Sequence, residues 1–273
     1  MTRLRILTLN IWNRQGPWRK RLVLIRGELE ALQPDIVGLQ EVMSDGGETS
    51  QAHELAKGLG FHVAYGGASR TGGGGYFGNA VLARYPLAAV NNVPLPGEAG
   101  EEARAVLHAA VDAPCGQVPF FVTHLDWKAA HGHVRVRQVA AVLDAVNRLA
   151  PADGFPAIVV GDFNAAPETD EVRCVCEGRS GSGARLPFVD CFAAAGDGTD
   201  GHTFARSNRY AAKGSDRSQR IDYVFSRGLD PVGVGAPLVA RVVCTTPQGG
   251  AFASDHYGVY VELRAAPERS SAS

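Results

Sequence analysis

The sequence predicts a layered α/β protein. Short apolar runs that stop on polar residues alternate with segments of helical period, and the first three elements follow strand–helix–strand order. With 273 residues, 45% of them hydrophobic and 20% charged, the chain can build one large core. A single domain over residues 1–264 is expected, with a disordered, solvated tail over 265–273.

Residues 3–9 alternate in the manner of a strand and end at Asn10-Ile11-Trp12. From Trp18 to Leu32 the apolar positions Leu22, Ile25, Leu29 and Leu32 recur at three- and four-residue steps, which predicts a helix closed by Gln33-Pro34-Asp35. Residues 36–41 form a second strand running into Gln40 and Glu41. A helix over 49–59 and a strand over 61–65 follow. Thr71 precedes four consecutive glycines; without the Lys-Ser/Thr of a P-loop, and with no helix after it, this run predicts a flexible hairpin loop. A strand resumes over 77–83. Strands over 103–111 and 118–125 pair around Ala113-Pro114-Cys115-Gly116, the second reaching Thr123-His124-Leu125-Asp126.

Helical spacing returns over 133–149. Residues 151–154 link it to the apolar run Ile158-Val159-Val160-Gly161, which delivers Asp162 and Asn164 to the rim of a sheet. Residues i and i+2 of a strand point to one side, so extended geometry through Phe163 would turn both polar groups toward one pocket and Phe163 into the core. Pro167 ends the run. A short helix over 168–176, a strand over 220–225 enclosing Asp222, a strand over 238–243 and a last strand to Leu263 after Ser254-Asp255-His256 complete the order.

The formal net charge of −1 excludes the global basic field that drives non-specific duplex binding. Five cysteines, odd in number and without C-x-x-C spacing, argue against a disulfide framework or a zinc site. No transmembrane run or signal peptide is read, so a cytoplasmic protein is expected, or a secreted one whose leader has been removed; a monomer is expected.

Asn10, Glu41, His124, Asp162, Asn164, Asp222, Asp255 and His256 thus gather at strand ends. Hydrolysis of a phosphodiester needs an activated water, stabilised phosphoryl oxygens and assistance to the leaving oxygen. Glu41 is a hard oxygen ligand suited to magnesium or manganese, and Asn10 can complete that site. His256 suits a charged transition state, with a carboxylate such as Asp222 fixing its tautomer. Asp222 inside an apolar run demands a buried partner. Arg104, just before a strand, is within reach of a phosphate. The remaining histidines read as structural, and Trp12, Trp18 and Trp127 as core or rim packing rather than base-stacking platforms, with Trp127, three residues after His124, placed to line the pocket as the alternative.

Leu-Asn-Ile-Trp, Leu-Gln-Glu-Val, Thr-His-Leu, Gly-Asp-Phe-Asn, Arg-Ile-Asp-Tyr and Ser-Asp-His-Tyr stand in the order and at the intervals of the endonuclease/exonuclease/phosphatase (DNase-I-like) superfamily, which this chain resembles over nearly its whole length. The resemblance implies a four-layer α/β/β/α sandwich with two packed mixed β-sheets, a site at one rim, and Mg2+ or Mn2+ as cofactor. It assigns Asp222 to orienting His256, Asp162 to positioning or deprotonating water, Asn164 to the phosphate, Asp255 to the metal's surroundings and His124 to a transition-state or leaving-group contact.

Thr-His-Leu followed by Arg135 and Gln138, and the stretch Thr203 to Asn208 ahead of Arg-Ile-Asp-Tyr, most resemble the neutral-sphingomyelinase-like phosphodiesterase branch, with Asn208 a further substrate-binding candidate. A phosphodiesterase acting on a small or lipid phosphodiester is therefore expected. Endonuclease or exonuclease action on DNA or RNA is the alternative, followed by a phosphomonoesterase or an inactive binding module.

Overall fold

The computed structural model describes residues 2–46, 49–151, 154–213 and 217–266. In chain order the elements are β1 (Arg3–Asn10), α1 (Trp18–Leu32), β2 (Ile36–Ser44), α2 (Gln51–Ala56), β3 (His62–Arg70), β4 (Tyr76–Ala83), β5 (Leu87–Pro94), β6 (Ala105–Ala113) and β7 (Gly116–His124). Then come α3 (Gly132–Leu149), β8 (Ile158–Asp162), α4 (Asp170–Glu177), β9 (Val189–Asp190), α5 (Cys191–Ala195), β10 (Asp222–Ser226), β11 (Pro237–Val243) and β12 (Gly258–Arg264).

They form two six-stranded mixed sheets, ordered β11-β12-β1-β2-β4-β3 and β5-β6-β7-β8-β10-β9. Each sheet has one parallel pair at its centre, β1/β2 and β7/β8, and is otherwise antiparallel. Three apolar clusters mark the three interfaces of a four-layer sandwich. Leu4, Ile6, Ile36 and Val81 of one sheet meet Leu107, Phe120, Val122, Val160 and Val224 of the other. The outer face of the first sheet packs Leu7, Leu9, Val37 and Leu39 against Leu22, Ile25, Leu29 and Leu55 of α1 and α2. The outer face of the second packs Phe121, Val159, Tyr223 and Phe225 against Val139, Leu143, Val146, Val172 and Val175 of α3 and α4. Alternate residues of each central strand thus serve different interfaces, which is why these strands read as continuous apolar runs. The close approach at the centre depends on Gly38, where a Cβ would lie 2.4 Å from Val160 Cγ2.

Several elements depart from expectation. β5 was not anticipated: it is an edge strand whose exposed residues and Asn91-Asn92 dilute any apolar alternation. The two-residue β9 and the short α5 are likewise set by pairing and by the Asp190 cap rather than by periodicity. α2 is shorter than 49–59, because Gly58 and Gly60 take positive φ directly after it. The glycine run after Thr71 is the β3–β4 hairpin connection, as expected. Ala265 is buried and donates its N–H to Thr2 O; residues 267–273, most of the expected tail, lie outside the described residues, as do 152–153 of the 151–154 link. Among the described residues no helix is long and apolar enough to cross a membrane. All five cysteines are free.

Candidate active site

Sheet register assembles the site. In three adjacent strands, His124 of β7 lies opposite Asp162 of β8, and Asp162 opposite Asp222 of β10. Gly161 permits this: at φ +143° its Cβ would stand 1.9 Å from Thr123 O, so only glycine fits there. Asn10 at the end of β1, Glu41 in β2 and the 254–257 loop ahead of β12 close over these groups from the other sheet.

Asp162 is the hub. Its Oδ2 accepts from Asn10 Nδ2 at 3.0 Å and faces His124 Nε2 at 3.5 Å and His256 Nε2 at 3.7 Å. Its Oδ1 accepts the Asn164 N–H at 2.8 Å. Extended geometry ends here, contrary to the strand extrapolation: Asn164 adopts φ +48°, in an Asx-type turn. Its Nδ2 donates to Leu125 O at 3.2 Å, and its side chain still lines the cleft. Phe163 enters the core as expected, edge-on to Tyr223 and Phe225.

Glu41 owes its direction to an irregularity. The β2–β4 register shifts between Leu39 and Val42, and Glu41 takes φ +58°, a conformation costing a non-glycine residue about 1–3 kcal/mol. Its carboxylate accepts from Asn10 Nδ2 at 3.2 Å and Asn13 Nδ2 at 2.7 Å.

His256 donates or accepts through Nδ1 at 2.9 Å from Asp222 Oδ2. Asp222 is an acceptor only when charged, so Nδ1 carries the proton in that state. The Asp222 backbone is fixed by Thr203 Oγ1, which accepts the N–H groups of both Ile221 and Asp222 at 3.1 Å. Phe204 covers the imidazole, with ring centroids 4.9 Å apart. His124 is held differently. Arg104 Nη1, which can only donate, lies 3.1 Å from its Nδ1, so the ring proton sits on Nε2 and points toward Asp162.

The electrostatics follow from crowding. Burial pushes the Asp162 carboxyl up, and the neighbouring Asp222 charge adds to this. Burial likewise raises Glu41, aided by Asp255, and raises Asp255 itself. Burial opposes charge on His256 too, but Asp222, Asp162 and Asp255 outweigh it and hold the imidazolium well above the ordinary imidazole range. Burial and then the Arg104 charge drive His124 the other way.

A cleft of about 1270 Å³ opens above, lined by Glu41, Arg104, His124, Asp162, Asn164, Asp255 and His256 among others. Asn10 and Asp222 are buried behind this lining. Asn208 is not brought into it: fully buried, it donates Nδ2 to the carbonyls of Ser254 and Asp255 at 2.8 and 3.2 Å, holding the loop that presents His256. None of the other six histidines lines the cleft. Trp127 is no core residue but stands 61% exposed at the cleft.

Two positions escaped sequence reading. Asn13 contacts Glu41 directly. Arg21, 1% exposed, donates to the carbonyls of Ile11, Trp12, Asn13, Gln15 and Ala253, thereby fixing the loop that carries Asn13. Its signal was present in the sequence, since Arg21 falls on the Ile25 and Leu29 face of α1 at four-residue steps.

Ligand atoms of Asp162, Asp222 and His256 lie within 4.8 Å of one another, close enough to share a metal ion. Asp222 Oδ1 is buried with no hydrogen-bond partner among the described residues, and Glu41, Asp162 and Asp255 all carry raised pKa values. This excess of buried carboxylate fits a divalent cation, which would relieve the mutual repulsion.

Fold and site together define a DNase-I-like α/β sandwich with a carboxylate and histidine centre at one rim. The sequence pattern of the endonuclease/exonuclease/phosphatase family matches residues 7–256, and the chain belongs to that family of metal-dependent phosphoester hydrolases. The uncharacterized protein YbhP of Escherichia coli strain K12 is 33% identical over 174 residues, covering 59% of this chain and 66% of YbhP, so the match spans just under two thirds of that relative. Among solved structures, Danio rerio TDP2 complexed with a single-strand DNA product superimposes with TM-score 0.78 at 20% identity, covering 97% of this chain and 100% of that one. The human Nocturnin catalytic domain with bound sulfate gives 0.73 at 21%, covering 96% and 93%. An endonuclease/exonuclease/phosphatase from Beutenbergia cavernae gives 0.72 at 26%, covering 97% and 72%.

Proposed function

We propose that this protein is a Mg2+-dependent phosphodiesterase acting on a small or lipid phosphodiester. The observation that carries the reading is the polarisation of two histidines around Asp162: one held as imidazolium by Asp222, the other held as an Nε2–H donor by Arg104. Glu41, Asn10 and Asp255 are the residues we assign to the cation, because Mg2+ prefers hard oxygen donors and His256 is engaged by Asp222. The bound cation would neutralise charge developing on the phosphoryl oxygens.

The remaining chemistry belongs to the chain. Asp162 positions the attacking water and accepts its proton at a carboxylate oxygen. His256 donates from Nε2 to the phosphoryl group as charge builds there, and Asp222 keeps that imidazole oriented and cationic. His124 offers its Nε2–H to a second phosphate or leaving-group oxygen. Arg104 and the Asn164 carboxamide complete the phosphate cradle. Asn208, assigned by sequence to the substrate, acts instead by positioning the 254–256 backbone.

Support for the sphingomyelinase-like branch lies in His124 together with Arg135 and Gln138, whose side chains brace the segment after His124. The test is hydrolysis of bis-p-nitrophenyl phosphate against p-nitrophenyl phosphate with Mg2+, Mn2+ or EDTA. Metal-dependent preference for the diester is expected; monoester preference, or turnover unaffected by EDTA, overturns the reading. Nucleic acid as substrate is distinguished by salt, since a chain gripping several phosphates loses affinity steeply as salt rises.

A further inference from the structure

Trp127 is a large aromatic side chain standing 61% exposed in the lining of the cleft that holds His124, Asp162 and His256. The two other tryptophans are partnered: Trp12 lies 5.1 Å from the Tyr210 ring, and Arg14 and Arg19 cover Trp18. Among the described residues no aromatic ring or guanidinium stacks on Trp127.

Its backbone, by contrast, is tied down with buried groups. Arg135, paired with buried Glu171 at 2.8 Å, donates Nη1 to the carbonyls of Asp126 and Lys128, the residues on either side of Trp127, at 3.2 and 2.8 Å. Gln138 Oε1 accepts the Asp126 N–H at 2.9 Å, and Asp126 Oδ1 accepts the Lys128 N–H at 2.9 Å. A buried ion pair and four backbone bonds therefore hold rigid a segment whose outward product is one free indole. Pre-organised aromatic surface at a binding site reduces the ordering cost of a ligand that stacks on it.

Resting on the phosphodiesterase reading, we propose that Trp127 is a specificity-determining platform, on which a planar aromatic group attached to the substrate phosphate, a nucleobase in particular, stacks. A quaternary ammonium headgroup is held by several rings around the cation, and among the described residues no second ring packs beside Trp127. A flat π-face beside a phosphate-directed centre matches a base carried on a phosphate.

The test is binding, which does not depend on turnover. Affinity for thymidine 5′-monophosphate, methyl phosphate and phosphocholine is measured by calorimetry with Mg2+ on wild type, Trp127→Ala and Trp127→Phe. The platform predicts that Trp127→Ala weakens thymidine 5′-monophosphate on the order of tenfold, the scale of one base–aromatic stack, while methyl phosphate changes less than twofold and Trp127→Phe retains most of the affinity. Equal weakening of all three probes, no weakening of any, or a larger loss for phosphocholine overturns it. Failure of the diester assay would remove the reaction assigned above yet leave this binding pattern readable. Equal thermal melts of the three proteins confirm that an exposed side chain was replaced without loss of the fold.

Discussion

His124 and His256 approach the same oxygen, Asp162 Oδ2, from two sides at 3.5 and 3.7 Å, and both are buried. Their chemistry is nonetheless opposite. Arg104 at Nδ1 makes His124 a neutral donor through Nε2, whereas Asp222 at Nδ1 makes His256 a cation. Burial opposes charge on both rings; what separates them is the partner on the far nitrogen, Arg104 adding to that opposition at His124 and Asp222, with Asp162 and Asp255 beside it, overcoming it at His256.

Removing the cation should cost most. His256→Ala is expected to lower kcat/KM for a phosphodiester roughly 10²- to 10⁴-fold, and His124→Ala distinctly less, on the scale of one lost neutral donor; equal losses would erase the distinction. Asp162→Asn, which keeps shape and removes the shared acceptor, should cost at least about 10²-fold, and most of the metal-dependent rate surviving would remove Asp162 from its role as base. Arg104→Met frees His124 Nδ1. A rate loss of about tenfold is expected, and ring-nitrogen NMR should show a change in the His124 tautomer while His256 stays as it was.

The smallest effect is on stability. Glu41, Asp162 and Asp255 have folded pKa values above their unfolded ones, so the stability they contribute is full below the unfolded carboxylate pKa and is lost as pH rises through the folded values. Mg2+ competes with those protons. Its stabilising shift in Tm, measured against EDTA, should therefore grow as pH rises from about 5 to 8. A shift independent of pH would mean the cation binds elsewhere.

Much of this was legible beforehand. The bounds of α1 agree with the helical spacing from Trp18 to Leu32, and every strand-end candidate either lines the cleft or lies directly behind it, whereas Asn208, named from the 203–208 stretch, does not. What escaped was set by partners remote in sequence. Asn208 faces inward because the Ser254 and Asp255 carbonyls need donors. Arg21 went unread because the carbonyls it serves come from the 11–15 loop and residue 253. Trp127 lines the cleft, as its spacing from His124 allowed, but that spacing does not reveal that Gln138 and Arg135 hold Asp126 and Lys128 on either side of it.

The sequence by itself determined the central strands, the long helices and which polar groups close them, because apolar periodicity and strand-ending residues act over a few neighbouring positions, whereas β5, β9 and α5 follow from pairing and capping. Only the tertiary structure decided how those groups pair. Asp222 meets His256 across 34 residues and Asn10 meets Asp162 across 152. Such bonds depend on sheet register and on the strained bulge at Glu41, and register is fixed by packing both sheets at once.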